Sequence, residues 1–426
     1  MWPAKQLDIG WPDLAAAAGF GLTRFRPTVE AAALARAWGG DSGLACLSVR
    51  SGFDLLLAAL GLPAGSEILM SAVTIPDMVR IVEHHGLVPV PIDLELATLA
   101  PRPEAIEAAI TPRTRAIVVA HLFGARVPLA PILAIARRQG LLVIEDLAQG
   151  FAGPSDRGNA ESDAAMFSFG TIKTATALGG ALLRIRDAAL LRTMQRIAGK
   201  YPLQSRAAYL SRVLKYGLLK GATTRAGYTP LVALLRAAGC DHDRLAAKLV
   251  RGFPAAGLIA RLRRRPSAPL LALLARRLRQ FDANRLQRRG ERGRDLAARL
   301  QGHFAVPGHS APEHSHWIFS VLANDPQRLI AQLARAGFHA TQGWSMCAVA
   351  APADRPELQP LNAKRLLQGG VFLPLYPELP GAECERLTTV LLEFASHSRE
   401  SAARAVRRPA YCTTPLVTAR KTSSSD

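Results

Sequence analysis

Residues 166–180 read MFSFGTIKTATALGG, and they surround one lysine, Lys173, with apolar and small side chains. A lone lysine in a sequence is usually a solvated surface charge. These neighbours would instead desolvate Lys173, which lowers the pKa of a lysine and makes its neutral amine available for imine formation. We therefore interpret Lys173 as a candidate site of covalent attachment for a carbonyl compound.

An acidic residue precedes this lysine at the end of an apolar run. The run LLVIE is typical of a buried parallel strand, and Asp146 follows it in IEDLAQG. Open α/β sheets place ligand-binding groups at the carboxyl ends of their strands, although an aspartate can also cap the next helix. Pyridoxal-phosphate (PLP) chemistry requires a carboxylate that keeps the pyridine nitrogen protonated and an amine that carries the aldehyde. The two residues predict PLP, held as a Schiff base on Lys173.

A bound phosphate would also need a cradle of hydrogen-bond donors. Residues 46–60, CLSVRSGFDLLLAAL, indicate a strand end, a turn at Ser51 and Gly52, and a helix that begins near Phe53. Backbone N–H groups at the start of a helix suit a dianion, and the hydroxyl of Ser168 could add another donor. A helix cap explains the same Ser-Gly pair equally well. Its order before IED and SFGTIK favours the phosphate site.

Strand and helix patterns alternate from about residue 43 to residue 187. Apolar runs such as EILMSAV, RAIVVAHLFG and ALLRIR are separated by helical segments, which is typical of a parallel sheet with helices on both faces. The predicted fold class is therefore α/β. The expected organisation is an N-terminal segment (1–42), a large domain (43–190), a basic helical insert with connecting helices (191–300), a small α+β domain (301–397) and a disordered tail (398–426).

Composition and cysteine use narrow the classes of protein to consider. Of the 426 residues, 49% are hydrophobic and 20% are charged, as expected of a folded enzyme-sized chain. Five scattered cysteines without CxxC spacing favour a reducing compartment and argue against a disulfide framework or a structural zinc site. We find neither a secretory signal nor the run of about 18 apolar residues that a spanning helix needs. A cytoplasmic location and no metal site are expected.

Positive charge is concentrated in one part of the chain. The net charge is +20, and residues 201–300 contain 22 Lys/Arg against 5 Asp/Glu. We predict a helix there with Arg212 and Lys215 off its apolar side, which comprises Leu210, Val213, Leu214, Gly217 and Leu218. The pattern fits either a helical elaboration with solvated arginines or a peripheral surface for anionic membranes. Nucleic acid is not an expected partner, because no aromatic platform or DNA-binding motif accompanies the charge.

Several motifs resemble those of one enzyme family. Residues 47–187 are similar to the DegT/DnrJ/EryC1/StrS family of PLP-dependent sugar aminotransferases, whose motifs appear here as SGFDLL, SAVTIPDMV, AAITPRTRAIVVAHLFG, EDLAQ and FSFGTIK followed by LGG. Weaker similarity extends through RRRPSAPLLALLARRLRQFD and VFLPLYPEL to residue 395. The resemblance implies the type I PLP fold, like that of aspartate aminotransferase, and a homodimer with shared active sites.

The resemblance also implies a role for each matching residue. Asp146 would pair with the pyridine nitrogen, Gln149 would bond to the ring hydroxyl, Ser168 would hold the phosphate, and Lys173 would carry the cofactor. His121 ends a strand at the same crevice. It is either a contact to the cofactor or substrate, or a hydrogen-bonded core histidine.

Three positions depart from the family pattern. Phe53 stands where the family has a threonine whose hydroxyl contacts the phosphate, and Ile75 stands where an aromatic ring stacks on the cofactor. Both positions, with Ser51 and Gly52, remain in the predicted cofactor site. Arg263 falls where an asparagine of the partner subunit would reach the phosphate, so we expect it to replace the lost hydroxyl across the dimer.

Amino transfer is the function that the resemblance implies. An amino acid, with glutamate as the expected donor, would give its amino group to a keto group on a nucleotide-linked or lipid-linked sugar. A lyase or dehydratase with the same cofactor is an alternative; it is disfavoured because the family's dehydratases replace the lysine with histidine, whereas Lys173 is retained. A membrane-associated protein with a PLP fold and a non-catalytic role is a further alternative, which Phe53 and Ile75 keep open.

Overall fold

The computed structural model describes residues 1–23, 27–222, 224, 227, 229, 257–342 and 345–406. Its strands, in chain order, are β1 (Gly43–Cys46), β2 (Glu67–Ser71), β3 (Val73–Thr74), β4 (Val88–Ile92), β5 (Thr114–Ala120), β6 (Leu142–Asp146), β7 (Ala164–Ser168), β8 (Ala181–Ile185), β9 (Phe319–Leu322), β10 (Cys347–Ala348) and β11 (Gly370–Leu373).

The helices follow the same numbering. They are α1 (Trp11–Leu22), α2 (Pro27–Gly39), α3 (Val49–Leu60), α4 (Pro76–His84), α5 (Pro103–Ala109), α6 (Ala130–Gln139), α7 (Ala188–Gly199), α8 (Arg206–Ala222), α9 (Leu258–Leu262), α10 (Ala268–Arg279), α11 (Ala283–Leu300), α12 (Pro326–Arg335), α13 (Leu361–Gly369) and α14 (Gly381–Val406).

A seven-stranded sheet forms the centre of the molecule, with the strand order β1-β8-β7-β6-β5-β2-β4. Within this sheet β8 runs antiparallel to β1 and β7, and the other pairs are parallel. The carboxyl ends of β1, β5, β6 and β7 therefore meet at one edge of the sheet. This mostly parallel sheet confirms the predicted α/β class.

The strands are apolar because helices cover both faces of the sheet. Successive residues of β2 show this, since Ile68 and Leu69 are both fully buried but belong to cores on opposite faces. Side chains alternate between the two faces of a strand, so a doubly covered strand needs a continuous apolar run. EILMSAV and RAIVVAHLFG are such runs.

A smaller core lies in the C-terminal part of the chain. The antiparallel pair of β9 and β11 carries Phe319 and Val321, which pack with Leu329 of α12 and with Leu387 and Leu391 of α14. HWIFSVLA and VFLPLY thus form strands, as predicted. Helix α14 continues to Val406, so the tail predicted from residue 398 begins too early. Residues 407–426 lie outside the described part.

The described helices of the basic segment differ from the predicted pattern. Helix α8 buries Tyr209, Val213 and Tyr216, whereas Leu214 and Leu218 are 65% and 69% exposed. The predicted apolar side was therefore wrong for these two leucines. Residues 230–256, which include LVALLRAAG, lie outside the described part of the chain, as do Cys240 and Cys412 among the five cysteines.

Several arginines of this segment form ion pairs with the N-terminal part of the chain. Asp13 of α1 pairs with Arg276 (3.0 Å) and with Arg277 (2.6 Å), both on α10. Arg285 of α11 pairs with Asp8. Part of the basic charge is therefore neutralised inside the fold. No helix in the described ranges has the length and apolar character needed to cross a membrane.

Candidate active site

The predicted site residues gather at the sheet edge where the parallel strands end. Asp146 is the last residue of β6 and Ser168 is the last residue of the neighbouring β7. The loop from β7 to β8 carries Lys173, and β1 leads into α3 at the same edge. The topology thus brings together groups that are far apart in the chain.

The loop that carries Lys173 is held by hydrogen bonds from two sides. Within the loop, the N–H of Lys173 donates to the carbonyl of Gly170 (3.0 Å). From outside, the carboxylate of Asp8 accepts from the N–H of Ala175 (2.7 Å), a residue in the left-handed region with a φ of 54°. A non-glycine residue in that region needs surrounding contacts to hold it. The loop is therefore fixed in a defined shape.

The amine of Lys173 lies in a desolvated environment with charges of both signs nearby. Burial lowers its pKa to about 7; the charge of Asp146 opposes this effect, and the charges of Lys5 and Arg50 add to it. A primary amine with this pKa is substantially unprotonated at neutral pH, which nucleophilic attack on a carbonyl requires. The predicted desolvation of Lys173 agrees with its environment.

An aromatic ring lies beside Lys173. The Nζ atom is 4.2 Å from the centroid of the Trp317 ring, and Trp317 Nε1 donates to the carbonyl of Ile172 (3.1 Å). Trp317 thus packs against the lysine loop from the C-terminal part of the chain. Ile75, predicted as an aliphatic face for the cofactor, is half-buried and immediately precedes α4.

The Asp146 side chain can both shape the turn after β6 and bind a ligand. Its Oδ1 accepts from the N–H of Ala148 (2.9 Å) in the turn that follows β6. No hydrogen bond to Oδ2 is found within the described ranges. Burial raises the pKa of Asp146, opposed by the Ala148 hydrogen bond and by the charges of Lys173 and His121. One oxygen thus shapes the turn and the other remains for a ligand.

Gln149 is oriented by a backbone amide. Its Oε1 accepts from the N–H of Phe123 (2.8 Å), and Phe123 is a buried residue with a φ of 57°. A phenylalanine in the left-handed region is uncommon and needs support from its surroundings. Because the side-chain oxygen is engaged, the amide nitrogen of Gln149 is the group left to donate to a ligand oxygen.

Helix α3 begins four residues earlier than the sequence suggested. Its N-cap is Ser48, whose Oγ accepts from the N–H of Ser51 (3.1 Å), and the Oγ atoms of the two serines are 2.9 Å apart. Ser51 therefore lies within the first turn of the helix and not in a turn before it. The first-turn N–H groups and the two hydroxyls are donors that suit an anion at this end of the helix.

The earlier helix start changes the roles of Gly52 and Phe53. Phe53 is fully buried in the main core, so its side chain is a packing residue and not the replacement of a phosphate ligand. A Cβ atom on Gly52 would lie 2.7 Å from Leu183 Cδ2, so this glycine permits close packing of α3 on the sheet. Ser168 is half-buried, and its Oγ is 3.4 Å from the N–H of Gly170.

His121 is a hydrogen-bonded core histidine. Its Nδ1 accepts from the N–H of Val127 (3.0 Å), and its Nε2 lies 3.2 Å from Glu145 Oε2. Both ring nitrogens are engaged by protein groups, and the side chain is almost completely buried. These contacts favour the core alternative, and the contact of His121 with a cofactor or substrate stays a prediction.

Arg263 pairs with a carboxylate of its own chain. Its Nε and Nη2 atoms lie 3.0 Å and 3.1 Å from the two carboxylate oxygens of Asp54, which is fully buried in α3. His85 Nε2 also approaches Asp54, at 3.0 Å. A buried carboxylate needs such partners. The Arg263 guanidinium is thus engaged within its own chain, and the contact with the phosphate of a partner subunit stays a prediction.

Sequence reasoning missed four residues of this region. Ser48 and Arg50 lie in the motif CLSVRSGF. If the N-cap had been assigned to the first serine of this motif, both residues would have been predicted at the start of α3. Trp317 and Lys5 have no local signal, because their positions depend on contacts between distant parts of the chain. Arg50, in the first turn of α3, also pairs with Asp77 (2.5 Å).

The groups at this edge fit PLP. Lys173 offers an amine for the aldehyde, the free oxygen of Asp146 suits a protonated ring nitrogen, and the amide nitrogen of Gln149 suits the ring oxygen. Ser168 and the start of α3 offer donors for a phosphate. Each chemical group of the cofactor thus has a matching side chain or helix end.

Comparisons with known proteins show that several solved structures share this fold. The solved structures similar to this chain include the aminotransferase TlmJ from Streptoalloteichus hindustanus (18% identity, 94% of this chain and 100% of that chain, TM-score 0.68). NtdA from Bacillus subtilis with bound cofactor PMP shares the fold (18% identity, 92% of this chain and 78% of that chain, TM-score 0.59). Helicobacter pylori PseC, an aminotransferase involved in the biosynthesis of pseudoaminic acid, also shares the fold (15% identity, 92% of this chain and 99% of that chain, TM-score 0.66).

The family comparison covers most of the chain. The model of the DegT/DnrJ/EryC1/StrS aminotransferase family matches residues 28–392, which include the central sheet, the lysine loop and the smaller C-terminal core. The predicted resemblance and cofactor are confirmed. This protein belongs to the DegT/DnrJ/EryC1/StrS aminotransferase family and is an aminotransferase that uses pyridoxal 5′-phosphate.

Proposed function

We propose that this enzyme transfers the amino group of glutamate to a keto group on a sugar linked to a nucleotide or a lipid. The observation that carries the proposal is the convergence of Lys173, Asp146 and Gln149 at one sheet edge, beside the start of α3. The similar fold of PseC, whose name refers to the biosynthesis of a sugar acid, supports a sugar as acceptor. That support is fold-level analogy.

Lys173 performs the proton transfers of the reaction. PLP supplies a carbonyl that captures the donor amine and a ring that withdraws electrons from the substrate α-carbon. With PLP bound at this edge, the Lys173 amine would accept a proton from the substrate α-carbon and return one to the reacting atoms. Its pKa of about 7 lets the amine both accept and return a proton near neutral pH. Trp317 limits the access of water to this amine on one side.

The other residues hold and polarise the cofactor. Asp146 would keep the proton on the pyridine nitrogen of PLP, and Gln149 would donate from its amide nitrogen to the ring oxygen. Ser168, Ser48 and the first turn of α3 would hold the phosphate of PLP. The protein thereby positions the reacting carbon within reach of the lysine amine.

A two-stage assay tests the proposed reaction. Holoenzyme is mixed with L-glutamate alone, and 2-oxoglutarate is quantified by mass spectrometry; one equivalent per site is expected. The amine-loaded enzyme then receives a panel of nucleotide-linked 4-keto sugars, with pyruvate as a control acceptor. An aminated sugar is the expected product. Amination of pyruvate without amination of any keto sugar would contradict the sugar assignment.

A peripheral contact with anionic membranes is a second proposal for the basic segment. Its support is the pair of exposed leucines on α8, Leu214 and Leu218, which flank Lys215. Arg212 is excluded from this surface, because its Nη1 donates to the carbonyl of Leu178 (3.1 Å) inside the fold. Exposed leucines beside cationic side chains suit the interface of an anionic bilayer.

Vesicle co-sedimentation tests this contact. We expect binding to anionic but not zwitterionic vesicles, weakened by salt and by the triple variant Leu214→Ser, Lys215→Glu, Leu218→Ser. Leu361→Ser is the matched control, because Leu361 is 69% exposed on α13. Equal co-sedimentation with both kinds of vesicle at low salt would contradict the membrane contact. The basic segment would then be a helical elaboration whose arginines are solvated.

A further inference from the structure

The first ten residues connect the C-terminal part of the chain to the lysine loop. The N–H of Trp2 donates to the carbonyl of Gly337 (2.8 Å), and the carbonyl of Trp2 accepts from the N–H of His339 (2.8 Å). Farther along, the carboxylate of Asp8 accepts from the N–H of Ala175 in the lysine loop. The segment between these two anchors therefore runs from the C-terminal part of the chain to the lysine loop, and Lys5 lies in it.

The Lys5 ammonium and the Lys173 amine lie against the same aromatic ring of the active site. Its Nζ lies 4.9 Å from the centroid of the Trp317 ring and 5.8 Å from that of Phe372. The Lys173 amine approaches the same Trp317 ring at 4.2 Å. The two amines are close enough that the charge of Lys5 lowers the pKa of Lys173.

Lys5 has no carboxylate partner within the described ranges of the chain. Its contacts there are to aromatic rings, and burial lowers its pKa to about 8. A buried cation is costly unless it is paired, and an aromatic face compensates only in part. The ammonium therefore has the environment of a binding group for an anion that enters the pocket.

We propose that Lys5 binds the α-carboxylate of the amino-acid donor. The inference rests on the proposed function, because it requires an amino acid to react at Lys173. The donor must bring its amino nitrogen to the cofactor carbon that Lys173 otherwise occupies. Its α-carboxylate is one carbon away from that nitrogen, so it lies in the part of the pocket next to the Lys173 amine. An ammonium there forms a charge-assisted hydrogen bond.

The other anions in the reaction fit Lys5 less well. The phosphate of the cofactor belongs at the start of α3, where Ser48 and Ser51 supply hydroxyls. A phosphate that links a sugar to its carrier is separated from the reacting keto carbon by part of the sugar ring. The donor carboxylate is the anion that must come near the reacting atom in every turnover.

Three variants of the holoenzyme test the proposal: Lys5→Met, Lys5→Arg, and the control Lys200→Met, which removes an exposed lysine at the end of α7. Binding of glutarate, an unreactive dicarboxylate, is measured by calorimetry. We expect its dissociation constant to rise on the order of 10- to 100-fold in Lys5→Met, to recover partly in Lys5→Arg, and to stay unchanged in Lys200→Met. Melting temperatures show whether each variant is folded; Lys5→Gln replaces Lys5→Met if that variant is not.

Steady-state kinetics distinguish a failure of the Lys5 proposal from a failure of the proposed function. We expect the KM for glutamate to rise in Lys5→Met, while the KM for the keto-sugar acceptor does not change. Wild-type affinity for glutarate in a folded Lys5→Met variant overturns the role of Lys5, and so does an increase confined to the acceptor KM. If wild-type enzyme releases no 2-oxoglutarate from glutamate, the donor assignment itself fails, which is a separate result.

Discussion

Lys173 has a pKa of about 7 because burial outweighs the opposing charge of Asp146, and because Lys5 and Arg50 add positive charge nearby. The apolar neighbours of Lys173 in the sequence predicted the desolvation. The opposing and assisting charges come from residues at positions 5, 50 and 146, and the sequence indicated only Asp146. Reactivity at this residue is thus partly local and partly a consequence of the fold.

The pKa of Lys173 predicts how the apoenzyme captures PLP. The neutral amine is the reactive form, so the capture rate should be nearly constant above about pH 8 and fall about tenfold per pH unit well below pH 7. Stopped-flow absorbance after mixing apoenzyme with PLP measures this rate, and Lys173→Ala is the control without capture. A rate that continues to rise up to pH 10 would indicate an ordinary lysine.

Asp146→Asn removes a negative charge that acts on both the cofactor and Lys173. Turnover should fall by at least about 100-fold with PLP saturating, because an amide does not hold the proton on the pyridine nitrogen. The midpoint of the capture profile should also move to lower pH, since Asp146 raises the pKa of Lys173. Steady-state kinetics and stopped-flow absorbance measure the two effects. Wild-type turnover would mean that Asp146 only shapes the turn after β6.

At the scale of the elements, N-cap preferences alone do not determine where α3 begins. Both Ser48 and Ser51 are good N-cap residues, so the sequence alone allows either helix start. In the structure the helix begins at Val49, and Phe53 lies within it and packs in the main core, so we infer that tertiary packing decides between the two starts. The phosphate end of the site therefore moves to Ser48 and Ser51.

Two substitutions distinguish the two helix starts. Ser48→Ala should raise the dissociation constant of PLP by about 3- to 30-fold, through loss of the cap and of a hydroxyl. Phe53→Leu should lower the melting temperature, because a fully buried ring is lost, and leave the PLP affinity unchanged. Fluorescence titration and thermal melting measure these effects. Unchanged PLP affinity in Ser48→Ala together with reduced PLP affinity in Phe53→Leu would instead support a helix start near Phe53.

Arg263 tests the packing of α3 against α9 and the segment that follows it. Arg263→Ala leaves the buried carboxylate of Asp54 with His85 as its remaining side-chain partner, so the free energy of unfolding should fall by about 1–3 kcal/mol. Urea titration measures it, with Arg264→Ala at the adjacent exposed arginine as control. Loss of PLP affinity at unchanged stability would instead support a contact across a homodimer.

At the scale of the whole molecule, the alternation of apolar runs and helical segments was sufficient to predict the α/β fold, and the strands at EILMS, VPVPI, TRAIVVA, LVIED and ALLRI match it. The positions of Lys5 and Trp317 could not be predicted in this way. Each depends on contacts between residues more than 100 positions apart, for which a single sequence has no local pattern. The two ring nitrogens of His121 are likewise engaged by partners that only the fold brings together.

The identity of the lysine that carries the cofactor is the central claim, and Lys5 is a second low-pKa amine in the same pocket. The most direct measurement is borohydride reduction of the holoenzyme, proteolysis and mass spectrometry of the modified peptide. We predict one modified lysine, Lys173, and no modification of a Lys173→Ala variant treated in the same way. Modification at Lys5, or at any lysine in the Lys173→Ala variant at the wild-type level, would contradict the assignment.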